Sequence, residues 1–223
     1  MNQEQALSLL KETKLVAILR GIPVKQATDI ATALYDGGVR VLEFTFDHDD
    51  PDCVAHNCQR IRAVKKIFGD EMVVGCGTAL TVQEVEASVE AGGQIVISPN
   101  VDVSVIAKTK ALGAISMPGA LTPTEIVMAY NAGADIVKLF PAGTLGVPYI
   151  KAVRGPLGYI PMSAVGGVRP ETIADFLNVG VCGFGVGGEL VKKEFVRSGD
   201  MNALTSRARN FVHAIEQWEA NRS

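Results

Sequence analysis

Eight short apolar runs, spaced about 20 to 30 residues apart, most constrain what this chain can become: "LVAILRG" (15–21), "VRVLEFTF" (39–46), "EMVVGCGT" (71–78), "GQIVISP" (93–99), "GAISMPG" (113–119), "ADIVKLFP" (134–141), "YIPMSAVGG" (159–167) and "GFGVGG" (183–188). They are apolar on both faces rather than alternating, the pattern of parallel strands covered by helices. Helical periodicity fills the gaps, as in "VKQATDIATALYDGG", "TVQEVEASVEAGG", "VSVIAKTKALG", "TPTEIVMAYNAG" and "RPETIADFLNVG". Most of these close on Gly, where a helix C-cap falls, and several open on Thr or Asp near the N-cap. Strand and helix alternate without a linker or low-complexity tract, with one further helix at each end ("NQEQALSLLKET" and "DMNALTSRARNFVHAIEQWEAN"). The expected fold is α/β, a single (β/α)8 TIM barrel over residues 1–223 with extra N-terminal and C-terminal helices. A doubly wound open sheet is the alternative. It lacks support because no G-x-G-x-x-G turn follows the first strand.

Nearly half of the 223 residues are hydrophobic, ample for a full core, and the formal charge of −3 shows no basic excess for gripping nucleic acid or anionic membrane. No apolar run approaches the roughly 20 residues of a membrane span, and "MNQEQALSLLKETK" lacks the regions of a signal peptide. A soluble cytoplasmic protein is expected, with no nucleic-acid or membrane partner. Cys53, Cys58, Cys76 and Cys182 show no C-x-x-C spacing and read as buried reduced thiols. His48, His56 and His213 are scattered, and the acids of "DHDDPD" (47–52) read as a solvated turn, so no metal site is expected.

In a barrel of this kind, chemistry sits at the C-terminal ends of the strands. Two charged residues interrupt otherwise apolar strands. Lys138 in "IVKLFPA" shares a face with Ile136 and Phe140; if it faces the barrel axis, desolvation lowers its pKa toward a partly neutral amine able to attack a carbonyl. Glu43 in "VLEFTF" shares a face with Thr45 and Asp47, and from the same cavity could pair with the ammonium and shuttle protons beside an imine. A purely structural Glu–Lys pair is the blander reading, and such pairs rarely stabilise relative to apolar packing. Gly166–Gly167 and Gly187–Gly188 close the last two strands, where loops of such barrels bind phosphate through bare backbone N–H groups.

Nine ordered motifs, "VAILRG", "GGVRVLEFTF", "VGCGTAL", "AGGQIVISPN", "MPGALTPTE", "ADIVKLFPAG", "YIKAVRGPL", "AVGGVRPE" and "GVGGELV", make the chain resemble the bacterial 2-keto-3-deoxy-6-phosphogluconate (KDPG) and 4-hydroxy-2-oxoglutarate (KHG) aldolases over essentially its full length. The resemblance implies a class I lyase, usually a homotrimer, that cleaves 2-keto-4-hydroxy acids to pyruvate and an aldehyde without metal or organic cofactor. It places the imine-forming lysine at Lys138 and the acid/base glutamate at Glu43. It also offers Arg20 and Thr78 as donors to the pyruvate carboxylate, and Phe140, Pro118 and Thr45 as pocket wall. The phosphate falls to Gly166, Gly167, Gly187 and Gly188.

Three positions depart from the family pattern. Asp47 stands where many relatives place a carboxylate-binding arginine. Glu189 stands beside the phosphate loop, where its charge would repel a phosphate unless it turns away. Val165 gives the "AVGG" form found in the branch acting on the galactonate-derived epimer, which also shares "AILRGI". A phosphosugar isomerase or epimerase using Glu43 without covalent catalysis, and a non-catalytic keto-acid binding protein, are the competing readings.

Overall fold

The computed structural model describes residues 1–222. Nine parallel strands form one sheet: β1 (Leu15–Leu19), β2 (Val41–Thr45), β3 (Val73–Gly77), β4 (Ile95–Ile97), β5 (Ile115–Met117), β6 (Gly119–Ala120), β7 (Val137–Leu139), β8 (Met162–Val165) and β9 (Gly183–Val186). Their order is β5-β4-β3-β2-β1-β9-β8-β7-β6. Only Pro118 separates β5 from β6, so these two are halves of one stave and the sheet closes on itself through it. Proline has no N–H to give the ladder, which is why the stave breaks there. Its carbonyl still accepts from the Lys138 N–H at 2.9 Å. All eight expected staves are therefore present, each trimmed to its hydrogen-bonded centre.

The helices form where local chemistry starts and stops them. Thr81 caps α4 (Val82–Glu90) and Thr122 caps α6 (Pro123–Asn131), each in a reciprocal capping box with the glutamate three residues on. Gly92 and Gly133 follow these helices at φ 99° and 102°, a left-handed turn that suits glycine. The stretch between β2 and β3, rich in acids at its start, becomes turns followed by α3 (Cys53–Phe68). There His56 Nδ1 pairs with Asp50 at 2.7 Å and His48 Nε2 with Glu84 at 2.7 Å, so both rings are engaged in tying the loop down.

Two apolar layers result. The outer one packs the helices against alternate strand residues such as Leu42, Phe44, Val137 and Leu139. The inner one fills the N-terminal half of the barrel with Val16, Val41, Val73, Ile95, Ile115 and Ile136, and α1 (Gln3–Thr13) plugs that end with Ala6 and Leu10. The C-terminal half is different, because Gly77 and Gly185 replace side chains in the barrel staves. A Cβ at Gly77 would stand 1.9 Å from a Glu43 carboxylate oxygen. Glycine is what lets that carboxylate lie in the barrel.

Gly77→Ala is accordingly expected to fold, since only the flexible end of Glu43 must move. Displacing that carboxylate should lower turnover by about tenfold or more, since a 1 Å misplacement can cost that much. Full activity in this variant would mean that the position of Glu43 is irrelevant to the chemistry.

Candidate active site

A cavity of about 430 Å³ opens at the C-terminal ends of the strands. Its wall includes Arg20, Glu43, Thr78, Lys138 and Phe140, with both glycine pairs, Gly166–Gly167 and Gly187–Gly188. Residues far apart in sequence thus meet because Glu43 and Lys138 lie within two staves, while Arg20, Thr78 and the glycine pairs follow others.

Strand alternation sends Val137 and Leu139 into the outer core and Lys138 inward, where it is only 8 % exposed. Among the described residues its ammonium has no ion-pair partner within 4.0 Å and no hydrogen bond. Its nearest organised contact is the face of Phe140, 4.9 Å from the ring centroid. Burial pulls the lysine pKa down; the Glu43 charge opposes this and the Arg20 charge adds to it.

Glu43 is 2 % exposed, and its Oε2 accepts a bond of 3.3 Å from the Thr45 hydroxyl. Burial pushes its pKa up to about 7, against the opposing influence of Lys138, Arg20 and the Thr45 hydroxyl. The direct Glu43–Lys138 ion pair expected from the strands is not formed. The two groups feel each other across a gap, and that gap is where a substrate carbon can sit.

Around this pair the remaining candidates divide. Arg20, just past β1, is exposed at the mouth and close enough for its charge to act on both buried groups. Thr78, just past β3, holds φ 57°, a left-handed conformation that a β-branched side chain resists at a cost of about 1–3 kcal/mol. Phe140 is 42 % exposed and forms part of the wall as expected. Thr45 and Pro118 do not form part of it: Thr45 is buried and donates to Glu43, and Pro118 meets Lys138 through its carbonyl.

The first glycine pair holds φ 89° and 73° at Gly166 and Gly167, and Gly166 O accepts from Gly143 N at 2.7 Å. Side chains cannot fit that approach, since a Cβ on Gly143 would fall 2.8 Å from Gly166 O. At Gly188, which lines the cavity, an added Cβ would meet nothing within 4 Å, so packing does not demand glycine there.

Both charge departures are resolved by placement. Strand β2 ends at Thr45, so Asp47 leaves the shared face and enters a turn, accepting from the Asp49 N–H at 3.3 Å. It borders a neighbouring cavity instead. Glu189 is bound by Arg207 of α10 (Met201–Ala220): Nε donates to its carbonyl at 2.7 Å and the guanidinium reaches Oε2 at 3.2 Å. That pairing offsets the repulsion expected of a lone carboxylate. Sequence reading missed Arg207 and also Lys193, which lines the cavity. The lysine pair Lys192–Lys193, a few residues past the last strand, was the available signal for Lys193.

The thiols are set apart from this chemistry. All four cysteines are free; Cys58 and Cys76 are buried, whereas Cys53 and Cys182 are only half-buried, which corrects the expectation that all four lie inside. Burial pushes the Cys76 thiol up to about 12.

A closed α/β barrel with a buried lysine and a buried carboxylate at its C-terminal mouth has the build of a barrel enzyme, and the relatives that match it are aldolases, carbon–carbon lyases. Residues 7–207 match the KDPG and KHG aldolase family, and the chain belongs to it. It is 37 % identical over 81 % of its length to the probable 2-dehydro-3-deoxy-6-phosphogalactonate aldolase of Rhizobium meliloti (strain 1021), covering 83 % of that protein. Against the KHG/KDPG aldolase of Escherichia coli (strain K12), identity is 32 % with 95 % of this chain and 96 % of that one covered. A solved structure described as native KDPGal superposes with a TM-score of 0.83 at 32 % identity, over 92 % of this chain and 96 % of that one.

Proposed function

We propose that the chain is an imine-forming aldolase that cleaves a 2-keto-3-deoxy-6-phospho sugar acid to pyruvate and a phosphorylated aldehyde, with the galactonate-derived epimer as its preferred substrate. The observation that carries the chemistry is Lys138: a buried ammonium without a counter-ion, next to a cavity of substrate size and across a gap from a carboxyl titrating near neutrality. A lysine whose charge is disfavoured is an available nucleophile. Its Nζ adds to the substrate C2 carbonyl, and loss of water leaves a protonated imine that draws electrons. The Glu43 carboxylate takes the C4 hydroxyl proton, the C3–C4 bond breaks, and its electron pair goes to the enamine as the aldehyde departs. Glu43, now protonated, returns the proton to C3. Hydrolysis of the imine then releases pyruvate and frees Lys138.

Arg20 and the strained Thr78 stand at the mouth in position to hold the pyruvate carboxylate, and a guanidinium suits that group. The glycine pairs, with Lys193, receive the phosphate. The choice of epimer rests on the higher identity to the phosphogalactonate enzyme, together with the "AVGG" form at Val165. We also read the protein as a cytoplasmic homotrimer. The exposed Met128, Tyr130 and Tyr159, with the two tyrosines edge to face at 5.6 Å, provide an apolar surface for a second copy.

The test has two parts. Pyruvate followed by borohydride should leave a reduced adduct mapping to Lys138. Cleavage of the phosphogalactonate-derived substrate should then exceed that of the gluconate epimer in kcat/KM. A folded protein without an adduct removes the imine mechanism, and a preference for the gluconate epimer removes the substrate assignment alone.

A further inference from the structure

Beside the catalytic cavity lies a larger one of about 620 Å³. Four cations border it, Arg20, Lys25, Lys193 and Arg197, against one carboxylate, Asp47. None of these four has an ion-pair partner among the described residues. Some surface cations elsewhere are paired, Lys108 with Glu86, Lys110 with Asp135 and Arg207 with Glu189, and others such as Lys11, Lys66 and Lys151 are not; what sets these four apart is that they converge on one cavity. In a chain whose formal charge is −3, a cavity edged by unpaired positive charge is a local excess that calls for an anion.

The remaining wall gives the rest of the ligand its character. Ile22, Phe46 and Val191 are buried side chains that present apolar surface to the same space, and Phe46 offers an aromatic ring. The volume falls within the range of about 300–1,000 Å³ usual for small-molecule sites and exceeds what an inorganic anion needs. Apolar surface with a cationic border suits an organic molecule that carries its charge at one end.

We propose that this second cavity binds a phosphorylated organic anion with an apolar or aromatic body, of nucleoside diphosphate size, while the catalytic cavity holds its own ligand. Arg20, Val191 and Lys193 border both spaces, so the two sites share a wall. Arg20 and Lys193 are given to the substrate in the proposed function, so Lys25 and Arg197 are the cations left to hold the second ligand's phosphates.

Titration calorimetry of the full chain with ADP tests this, on the free protein and on protein whose Lys138 has been capped by pyruvate and borohydride. One molecule of ADP per chain is expected in both preparations, with inorganic pyrophosphate binding more weakly. In the double variant Lys25→Ala/Arg197→Ala, ADP affinity should fall by about tenfold or more, and Lys25→Arg/Arg197→Lys should restore it. That double variant should leave kcat and KM for the sugar acid within about twofold of the native values. Absence of ADP binding to the native chain overturns the proposal, as does binding indifferent to both substitutions. Pyrophosphate binding as tightly as ADP overturns the organic body, and a raised KM makes the cavity the far end of the substrate site instead.

Discussion

Lys138→Met is expected to abolish aldol cleavage, by on the order of 10⁴-fold or more, because a thioether cannot add to a carbonyl and no second amine lines the site deeply enough to replace it. Methionine fills similar volume without a charge, so the same substitution should leave the fold intact and raise its stability. The native ammonium is buried without an ion-pair partner among the described residues, which costs folding energy whenever the lysine is charged. A gain on the order of 1 kcal/mol follows at neutral pH. Its sign also fixes its pH dependence. The folded-state pKa lies below the unfolded one, so the cost is present at low pH and vanishes as pH rises through the ordinary lysine value. The stability advantage of the methionine variant should shrink over that interval. Chemical denaturation at two pH values, together with steady-state cleavage, reads both effects. Full activity in a folded Lys138→Met protein would remove the imine mechanism outright, and a large loss of stability would mean that Lys138 is a structural lysine.

That lysine was legible from its sequence because burial and charge conflict there. Both Lys138 and Glu43 interrupt strands that are otherwise apolar on both faces, and each is found buried at the cavity. The eight staves were legible for the same reason, since continuous apolar character marks a strand buried on two sides. Their ends were not, because apolar character runs on past the last ladder bond: "ADIVKLFP" narrows to Val137–Leu139. Strand period also misplaced Asp47, since alternation has no meaning once β2 has ended at Thr45. Long-range charge pairing was invisible. Arg207 lies 18 residues from Glu189, on the C-terminal helix, and nothing local announces that the two meet. The separation between Glu43 and Lys138 was equally hidden, since facing the same cavity does not set a distance.

That separation makes Glu43 the more informative residue for pH. With its pKa near 7, kcat/KM should rise through neutrality as the carboxylate proposed to accept the C4 proton ionises. Glu43→Gln removes this inflection and should lower kcat by about 10²- to 10⁴-fold, while the borohydride-trapped adduct on Lys138 still forms. Stability moves the other way. The folded protein holds the Glu43 proton up to about pH 7, whereas the unfolded chain releases it near 4.5, so this group makes stability fall as pH rises between those values. The glutamine variant lacks that fall and should exceed the native chain in stability above neutrality, by up to about 3 kcal/mol. Loss of activity with gain of stability in one substitution is the signature of a charge kept in an apolar barrel for its chemistry. If Glu43→Gln instead retains the native pH profile, the proton passes through another group and the buried carboxylate needs a different explanation. If it loses stability at every pH, the bond from the Thr45 hydroxyl and the fit over Gly77 outweigh the cost of the buried charge, and Glu43 serves the fold as well as the reaction.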